Sequence, residues 1–320
     1  LGQHHSPTEI RIGLINNMPD SALQSTEVQF GGLLERAASK AQIKLRLSSF
    51  PELPRGEEAL GQIARRYWPL DELLAEPLDA LIVTGTEPRA PRLADEPYWH
   101  RFGQLLEWAE THTHASIWSC LAAHAAVQSL DGVERQRMAE KRSGVYEHQT
   151  QAEDPLLAGA PAVMRTPHSR WNELSVAALR NAGYHMLSWS SLSGADAFVR
   201  RRRSLMLFFQ GHPEYEDTTL LKEYRRDVAR FLGAQQAHYP TLPHGYLSAQ
   251  AVAMLEAFRA EALASRRPEL MERFPFAAIA ADLTNSWGDT AVTIYRNWLS
   301  YISHAKSKKQ PGEPVSLAHS

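Results

Sequence analysis

Ala115-Ser116-Ile117-Trp118-Ser119-Cys120-Leu121-Ala122-Ala123-His124-Ala125-Ala126 carries the only cysteine among 320 residues. Ala115 to Trp118 read as a short apolar strand, and the Ala-rich run from Leu121 to Leu130 reads as a helix. A cysteine at such a strand-to-helix turn has its sulfur lifted out of the fold, above the first helical N–H groups. Those groups and the helix dipole favour the thiolate, which is the nucleophilic form. The same backbone donors, Leu121 N–H first among them, can hold a developing oxyanion. A buried free cysteine that only fills core is the plainer alternative, and this stretch alone leaves both open.

Upstream of the turn, strand and helix patterns alternate. Glu9 to Ile15 alternates and then becomes fully apolar, as an opening buried strand does. Asn16 to Asp20 reads as a loop, and Ser25-Thr26-Glu27 opens an amphipathic helix through Ala38. Ile43 to Ser49 is a second strand, and Pro51 to Gly61 a polar connection. Leu78 to Gly85 is a strong third strand ending in a glycine turn. Thr86 to Arg92 is too rich in proline to be helical. Tyr98 to His112 is an amphipathic helix leading to the cysteine strand. This β-α-β-α rhythm argues for an α/β protein: a parallel sheet with helices on both faces.

Downstream the chain is richer in β structure. Lys141 to His148 reads as a loop entering a strand, and Thr166-Pro167-His168-Ser169-Arg170 as a short loop. Tyr184 to Ser190 and Ala195 to Arg200 are strands, joined onward by a basic turn, Arg200 to Arg203. That turn could touch a phosphate, but a solvated surface turn is the simpler reading. Ser204 to Gln210 is an apolar strand running into Gly211-His212-Pro213-Glu214-Tyr215. Thr219 to Leu232 is a helix, His238 to Gly245 a linker, and Leu247 to Ala264 and Thr290 to Ala305 are further helices. Residues 8–237 thus form the expected catalytic α/β unit and 238–305 a linker and helical extension of it. Residues 306–320 are an expected disordered tail.

The totals exclude several classes. A 43% hydrophobic and 22% charged composition is that of an ordinary globule. A formal net charge of -2 provides no global field for nucleic acid or membrane. A single cysteine precludes an internal disulfide framework and fits a reducing compartment. No apolar run is long enough for a bilayer span. Leu1 to Ser6 lacks the basic-then-apolar pattern of a secretory signal. With no initiator Met, the chain is expected to be trimmed. A cytoplasmic location is expected.

His212 and Glu214 follow a buried strand, as Cys120 does. In a doubly wound sheet the carboxyl ends of the strands line one crevice, so these three residues can converge. Chemically they make a nucleophile, a base and an orienting carboxylate. His124, one turn after Cys120, is the rival base, although its helix face points to the core. A metal site is not expected, because the histidines are scattered and no second cysteine exists. Lys141, Arg225 and Arg226 are candidate anion-binding cations and Ser169 a polar donor. An amino-acid carboxylate suits an arginine, which grips it with two parallel hydrogen bonds.

The chain resembles the homoserine O-succinyltransferase family, which includes homoserine O-acetyltransferases of the same fold. The resemblance runs in order through Asn17-Met18-Pro19, Asp79 to Gly85, Tyr98-Trp99, the Cys120 turn, Glu140 to His148, Pro167 to Arg170, Gly211 to Tyr215, Arg226-Asp227-Val228 and Asn297-Trp298-Leu299. It implies a class I glutamine amidotransferase-like (flavodoxin-like) fold with a C-terminal helical extension. It implies that Cys120 carries an acyl-thioester, that His212 is the general base and that Glu214 completes the triad. Lys141, Ser169 and Arg226 match positions that bind the amino acid. The implied reaction is ping-pong: acyl-CoA acylates the cysteine, and the hydroxyl of homoserine then takes the acyl group, on the way to methionine. Acyl-CoA is a co-substrate, with no bound cofactor. The resemblance also implies a homodimer.

Three departures stand out. Where the family has a lysine-rich step after Met18-Pro19, Asp20-Ser21-Ala22-Leu23-Gln24 intervenes. Where it often has Trp after the cysteine, Leu121 stands. The position that tracks acyl choice, Gly for succinyl and Glu for acetyl, falls on Arg89. An arginine there could pair with a succinyl carboxylate, which favours succinyl-CoA. An Arg89 turned to solvent would leave acetyl-CoA as donor, and serine is a further candidate acceptor. Two rivals share the scaffold. A glutamine amidotransferase-like hydrolase normally has glycines two residues either side of its cysteine, where Trp118 and Ala122 stand here. A catalytically silent binding protein would not need the complete triad.

Overall fold

The structure, a computed structural model, describes residues 9–39, 41–151 and 153–308. Its first half alternates strictly: β1 (Glu9–Ile15), α1 (Leu23–Ala37), β2 (Gln42–Ser48), α2 (Glu57–Arg66), α3 (Leu70–Ala75), β3 (Ala80–Val83), α4 (Trp99–His112), β4 (Ala115–Ser119) and α5 (Leu121–Asp131). Then come β5 (Gln136–Thr150), β6 (Val163–Glu173), α6 (Val176–Asn181), β7 (His185–Ser190), β8 (Gly194–Arg201) and β9 (Leu205–Phe209). The chain closes with α7 (Thr219–Leu232), α8 (Ala249–Ala264), α9 (Phe276–Ala280) and α10 (Gly288–Lys308).

All nine strands form one sheet in the order β2-β1-β3-β4-β9-β8-β7-β5-β6. The β2-β1-β3-β4-β9 half is parallel, and the rest is antiparallel. The parallel half has the flavodoxin-like order, with β5 to β8 inserted between α5 and β9 as an antiparallel extension. β3, β4 and β9 are buried along their whole length, as continuous apolar strands covered on both faces are. One face packs on α4 and α5 through Leu81, Phe102, Trp118 and Phe208. The other packs on α1 and α10 through Ile12, Phe30, Leu207 and Trp298. α7, α8 and α9 share a third apolar cluster.

Sequence-marked segments take identifiable jobs. The Asn17 N–H donates to Thr84 Oγ1 at 2.8 Å, and its side-chain oxygen accepts from Phe50 N–H at 3.0 Å. The opening loop is thereby tied to the carboxyl end of β3. In the Asp20 segment, Arg55 Nη1 bonds Asp20 Oδ1 at 3.1 Å and Met18 O, and Gly56 N–H bonds Asp20 Oδ2 at 2.8 Å. Asn297 Nδ2 donates to Leu156 O and Ala158 O, both at 2.9 Å, fixing α10 to the chain before β6.

Several expectations need correction. The Pro51 to Gly61 connection contains the start of α2, a charged helix in which Ala59 alone is buried. Lys141 to His148 lies within one fifteen-residue strand, not at a loop. Thr166 to Arg170 is the interior of β6. Pro167 is tolerated there because β6 is the last strand of the sheet, so a missing N–H breaks no second ladder. Arg200 is no solvated turn residue: it is buried, and its guanidinium bonds Asp131 and Tyr184 Oη. Lys306 continues α10 and bonds Asp79 Oδ2 and Glu9 O, each at 2.8 Å. The remainder of the expected tail (309–320) and the opening (1–8) lie outside the described residues.

Candidate active site

Cys120 sits between β4 and α5 with φ 52° and ψ −114°. Its N–H is held by Phe209 O at 2.7 Å, so the last pair of the β4–β9 ladder fixes the turn. The positive φ lifts the side chain away from the sheet, and the free N–H groups of the first helical turn lie beyond it. Gly85, two residues past β3, packs against this turn. A β-carbon on it would stand 2.9 Å from the Leu121 nitrogen and 2.8 Å from the Leu121 β-carbon. Only a glycine lets the post-β3 loop approach the turn so closely.

His212 and Glu214 follow β9. Gln210 anchors the loop: its Oε1 accepts from Leu174 N–H at 2.9 Å and its Nε2 donates to Ala195 O at 2.7 Å. The His212 N–H donates to Pro167 O at 2.8 Å. His212 Nδ1 faces Glu214 Oε1 at 2.8 Å, which keeps the proton on Nδ1 and leaves the other ring nitrogen for a thiol or hydroxyl. The Tyr215 ring stacks on the imidazole with centroids 4.2 Å apart. Burial by itself would lower the His212 pKa. The Cys120 sulfur, which lines the same pocket, and the Glu214 carboxylate together raise it well above the ordinary imidazole range. Both His212 and Glu214 are buried.

His124, the rival base, is 3% exposed in the core face of α5 and does not line the cysteine pocket. Burial pushes its pKa down to about 3.

The pocket over Cys120 has a volume of about 250 Å³. Lys141 from β5, Ser169 from β6 and Arg226 from α7 all line it. Lys141 Nζ bonds Asp227 Oδ2 at 2.7 Å, and Arg226 bonds Asp227 Oδ1 through Nε and Nη2, both at 3.1 Å. Ser169 Oγ donates to Glu223 Oε2, and Tyr215 Oη donates to Glu223 Oε1 at 2.8 Å. The three sequence-marked residues therefore surround Glu223, which the sequence did not mark, and Asp227, marked there only as part of the Arg226-Asp227-Val228 stretch. Their signal was present: on α7, positions 223, 226 and 227 fall on one helical face. Arg225 is turned the other way, its guanidinium 5.7 Å from the Phe276 ring centre.

Arg89 is not in this pocket. It is exposed on the rim of a neighbouring cleft of about 990 Å³, with Arg55 and Tyr98. Its backbone N–H bonds Glu96 Oε1 at 2.6 Å. The larger cleft lacks Cys120 and His212, so its size does not make it the reaction site.

Behind the pocket, His148, His168 and Asp196 form the one grouping of metal-ligating side chains among the described residues. Arg170 Nε donates to His168 Nδ1 at 3.2 Å. The His168 proton therefore sits on Nε2, 3.3 Å from Asp196 Oδ1. The ring turns a proton, not a lone pair, toward the carboxylate. Neither His168 Nε2 nor Asp196 Oδ1 makes a hydrogen bond, and neither does His148 Nδ1, so the 3.3 Å approach is an ion-pair distance only.

The sheet and its flanking helices are those of the class I glutamine amidotransferase-like fold. Among solved structures of that fold, a glutamine amidotransferase from Methylobacillus flagellatus superposes with a TM-score of 0.52 at 14% identity, covering 98% of this chain and all of its own. The family profile described as "HTS: Homoserine O-succinyltransferase" matches residues 2–308. A protein named homoserine O-succinyltransferase from Methylorubrum extorquens is 45% identical over 294 residues, 92% of this chain and 87% of that one. One of the same name from Bradyrhizobium japonicum is 44% identical over 298 residues, 93% of this chain and 91% of that one. The chain belongs to the homoserine O-succinyltransferase family, and it is an acyltransferase. Among the described residues, no helix is long and apolar enough to cross a membrane.

Proposed function

We propose that the protein transfers a succinyl group from succinyl-CoA to the hydroxyl of L-homoserine through an acyl-thioester on Cys120. The choice of succinyl is supported by the name shared by the family and its relatives and not by Arg89, which is exposed outside the pocket. The Cys120 sulfur attacks the thioester carbonyl, and the oxyanion is held by the Leu121 N–H at the start of α5. The tetrahedral intermediate expels the CoA sulfur, which takes the proton held by His212. Thioester-for-thioester exchange is nearly isoenergetic, so a cysteine suits a CoA donor. Homoserine then enters. His212 removes its hydroxyl proton as the oxygen attacks the acyl carbonyl, and Cys120 leaves as thiolate. Glu214 holds the imidazole in the required tautomer throughout.

Lys141, Arg226 and Ser169 are read as the homoserine-binding set. Glu223 joins them as a carboxylate able to take the ammonium group, while Arg226 faces the carboxylate. Holding the amino acid at both ends keeps water from the acyl-enzyme. The observation that carries the proposal is the convergence of Cys120, at its positive-φ turn, with the His212–Glu214 pair spaced at 2.8 Å. It is tested by intact-mass spectrometry after mixing with succinyl-CoA. A succinyl adduct should form, disappear on adding homoserine with release of O-succinylhomoserine, and be absent from Cys120→Ala. Ammonia release from glutamine without any acyl adduct would replace this proposal with an amidotransferase.

A further inference from the structure

Arg89, the residue aligned with acyl choice, lines the neighbouring cleft and not the pocket over Cys120, which leaves room for another cation to meet the free carboxylate of a succinyl group. α7 offers one. Glu223, Arg226 and Arg230 follow one face of that helix at spacings of three and four residues, and all line the pocket over Cys120. Arg230 lies one turn, about 6 Å, beyond Arg226 along the helix axis. Its guanidinium reaches toward Glu87, in the same loop whose Gly85 presses against Leu121. It thus bridges α7 and the loop that flanks the nucleophile.

Its electrostatic state differs from that of the other pocket cations. Lys141 and Arg226 are hydrogen-bonded to Asp227, one to each carboxylate oxygen. Arg230 stands 3.9 Å from Asp227 Oδ1, too far for a hydrogen bond. The other ion pair, with Glu87, is also 3.9 Å long, and the Glu87 side chain is 65% exposed, where water screens it. Of the three cations on this side of the pocket, Arg230 alone has no carboxylate oxygen closer than 3.9 Å. A succinyl group brings a carboxylate that can take up its guanidinium, whereas an acetyl group brings none.

We propose that Arg230 is the specificity-determining residue for the acyl donor, pairing through its guanidinium with the distal carboxylate of a dicarboxylic acyl group carried on Cys120. This deepens the acyl-transfer reading above and rests on it. The test compares kcat/KM and intact-mass acylation for succinyl-CoA and acetyl-CoA in the wild type, Arg230→Ala, Arg230→Glu and Arg89→Ala. In Arg230→Ala the succinyl-to-acetyl ratio should fall about 10- to 100-fold, as loss of a charge-assisted hydrogen bond gives. Arg230→Glu should lower it further, because repulsion replaces attraction, and Arg89→Ala should leave it as in the wild type. An unchanged ratio in both Arg230 variants overturns the assignment, as does a wild type that is acylated by acetyl-CoA alone. That last result leaves Cys120 acyl transfer standing, while absence of any adduct from either donor removes both proposals.

Discussion

Gly85 and Leu121 touch through their backbones: a β-carbon at 85 would lie within 2.9 Å of the Leu121 nitrogen. The neighbour is main chain at the start of α5, which cannot rotate aside as a side chain would. Gly85→Ala should therefore displace the post-β3 loop from the Leu121 N–H, the proposed oxyanion donor. We expect acyl transfer to drop by about 100-fold or more, the usual cost of losing an oxyanion-hole donor. Stability should change little, since the loop can lift toward the open pocket. Stopped-flow release of CoA, read against a urea melt, separates the two effects. A loss of activity that merely follows a loss of folded protein would contradict this.

Asp227 ties Lys141 to Arg226 and is itself mostly buried. Asp227→Asn should release both cations from their set positions while leaving Cys120, His212 and Glu214 untouched. In a ping-pong scheme the penalty falls on the second half-reaction. The KM for homoserine should rise about tenfold or more, and the rate of Cys120 acylation should stay near that of the wild type. Single-turnover acylation, followed by a homoserine titration of the acyl-enzyme, gives the two quantities separately. Equal damage to both half-reactions would place Asp227 in a different role.

The parallel half of the sheet was legible because β1, β3, β4 and β9 are apolar throughout, a pattern that helices on both faces impose. α2 was not, because its outer surface is charged and only Ala59 is fully buried. The Thr166 to Arg170 segment reads as a loop since Pro167 cannot donate. The structure uses that residue's carbonyl instead, as the acceptor for the His212 N–H. Cys120, His212 and Glu214 could be marked from their places after buried strands. Glu223 and Arg230 share a helical face with Arg226, but that signal is weak, because an acidic or basic residue on an amphipathic helix looks the same whether it faces solvent or a pocket. Arg89, placed by count across a proline-rich loop, is exposed and lines the neighbouring cleft and not the pocket over Cys120.

Acid should weaken this fold below neutrality. Burial lowers the pKa of His124 and of His168 to about 3 in each case, against about 6.5 unfolded. The unfolded chain then binds protons that the folded chain refuses. The stability these rings contribute is complete above pH 6.5 and is lost as pH falls toward 3. His212 acts in the opposite sense: its raised value contributes stability below pH 6.5 that disappears as pH climbs through the folded value. Each depressed histidine adds a slope of up to about 1.4 kcal/mol per pH unit. His124→Gln should accordingly flatten urea-derived stability between pH 6 and 4 by roughly that slope. An unchanged slope would mean that His124 is protonated in the native state.

The Glu214 carboxylate helps to hold the His212 proton, so Glu214→Gln should lower the His212 pKa, with burial then less opposed. The rate should fall by about 10²- to 10⁴-fold, as when an orienting carboxylate is lost from a triad. The imidazole C–H resonances, titrated by NMR in wild type and variant, report the shift directly. A His212 titration unmoved by the substitution would show that the Cys120 sulfur alone sets it.

The backbone of Cys120 separates the needs of folding from those of catalysis. At φ 52° and ψ −114° a side chain is strained, and only glycine occupies the region at little cost. Cys120→Ala and Cys120→Gly both delete the thiol, so neither should form an acyl adduct. They differ in the β-carbon at the strained position. Cys120→Gly should be the more stable by about 1–3 kcal/mol, a difference expected to raise its Tm by several degrees over that of Cys120→Ala. The comparison subtracts the lost thiol contacts, which the two variants share, and leaves the backbone term. Equal melting temperatures would mean that the turn relaxes once the sulfur is gone. In that case the strain is held by the electrostatic interaction of the Cys120 sulfur with His212, not by the β4–β9 ladder that fixes the Cys120 N–H.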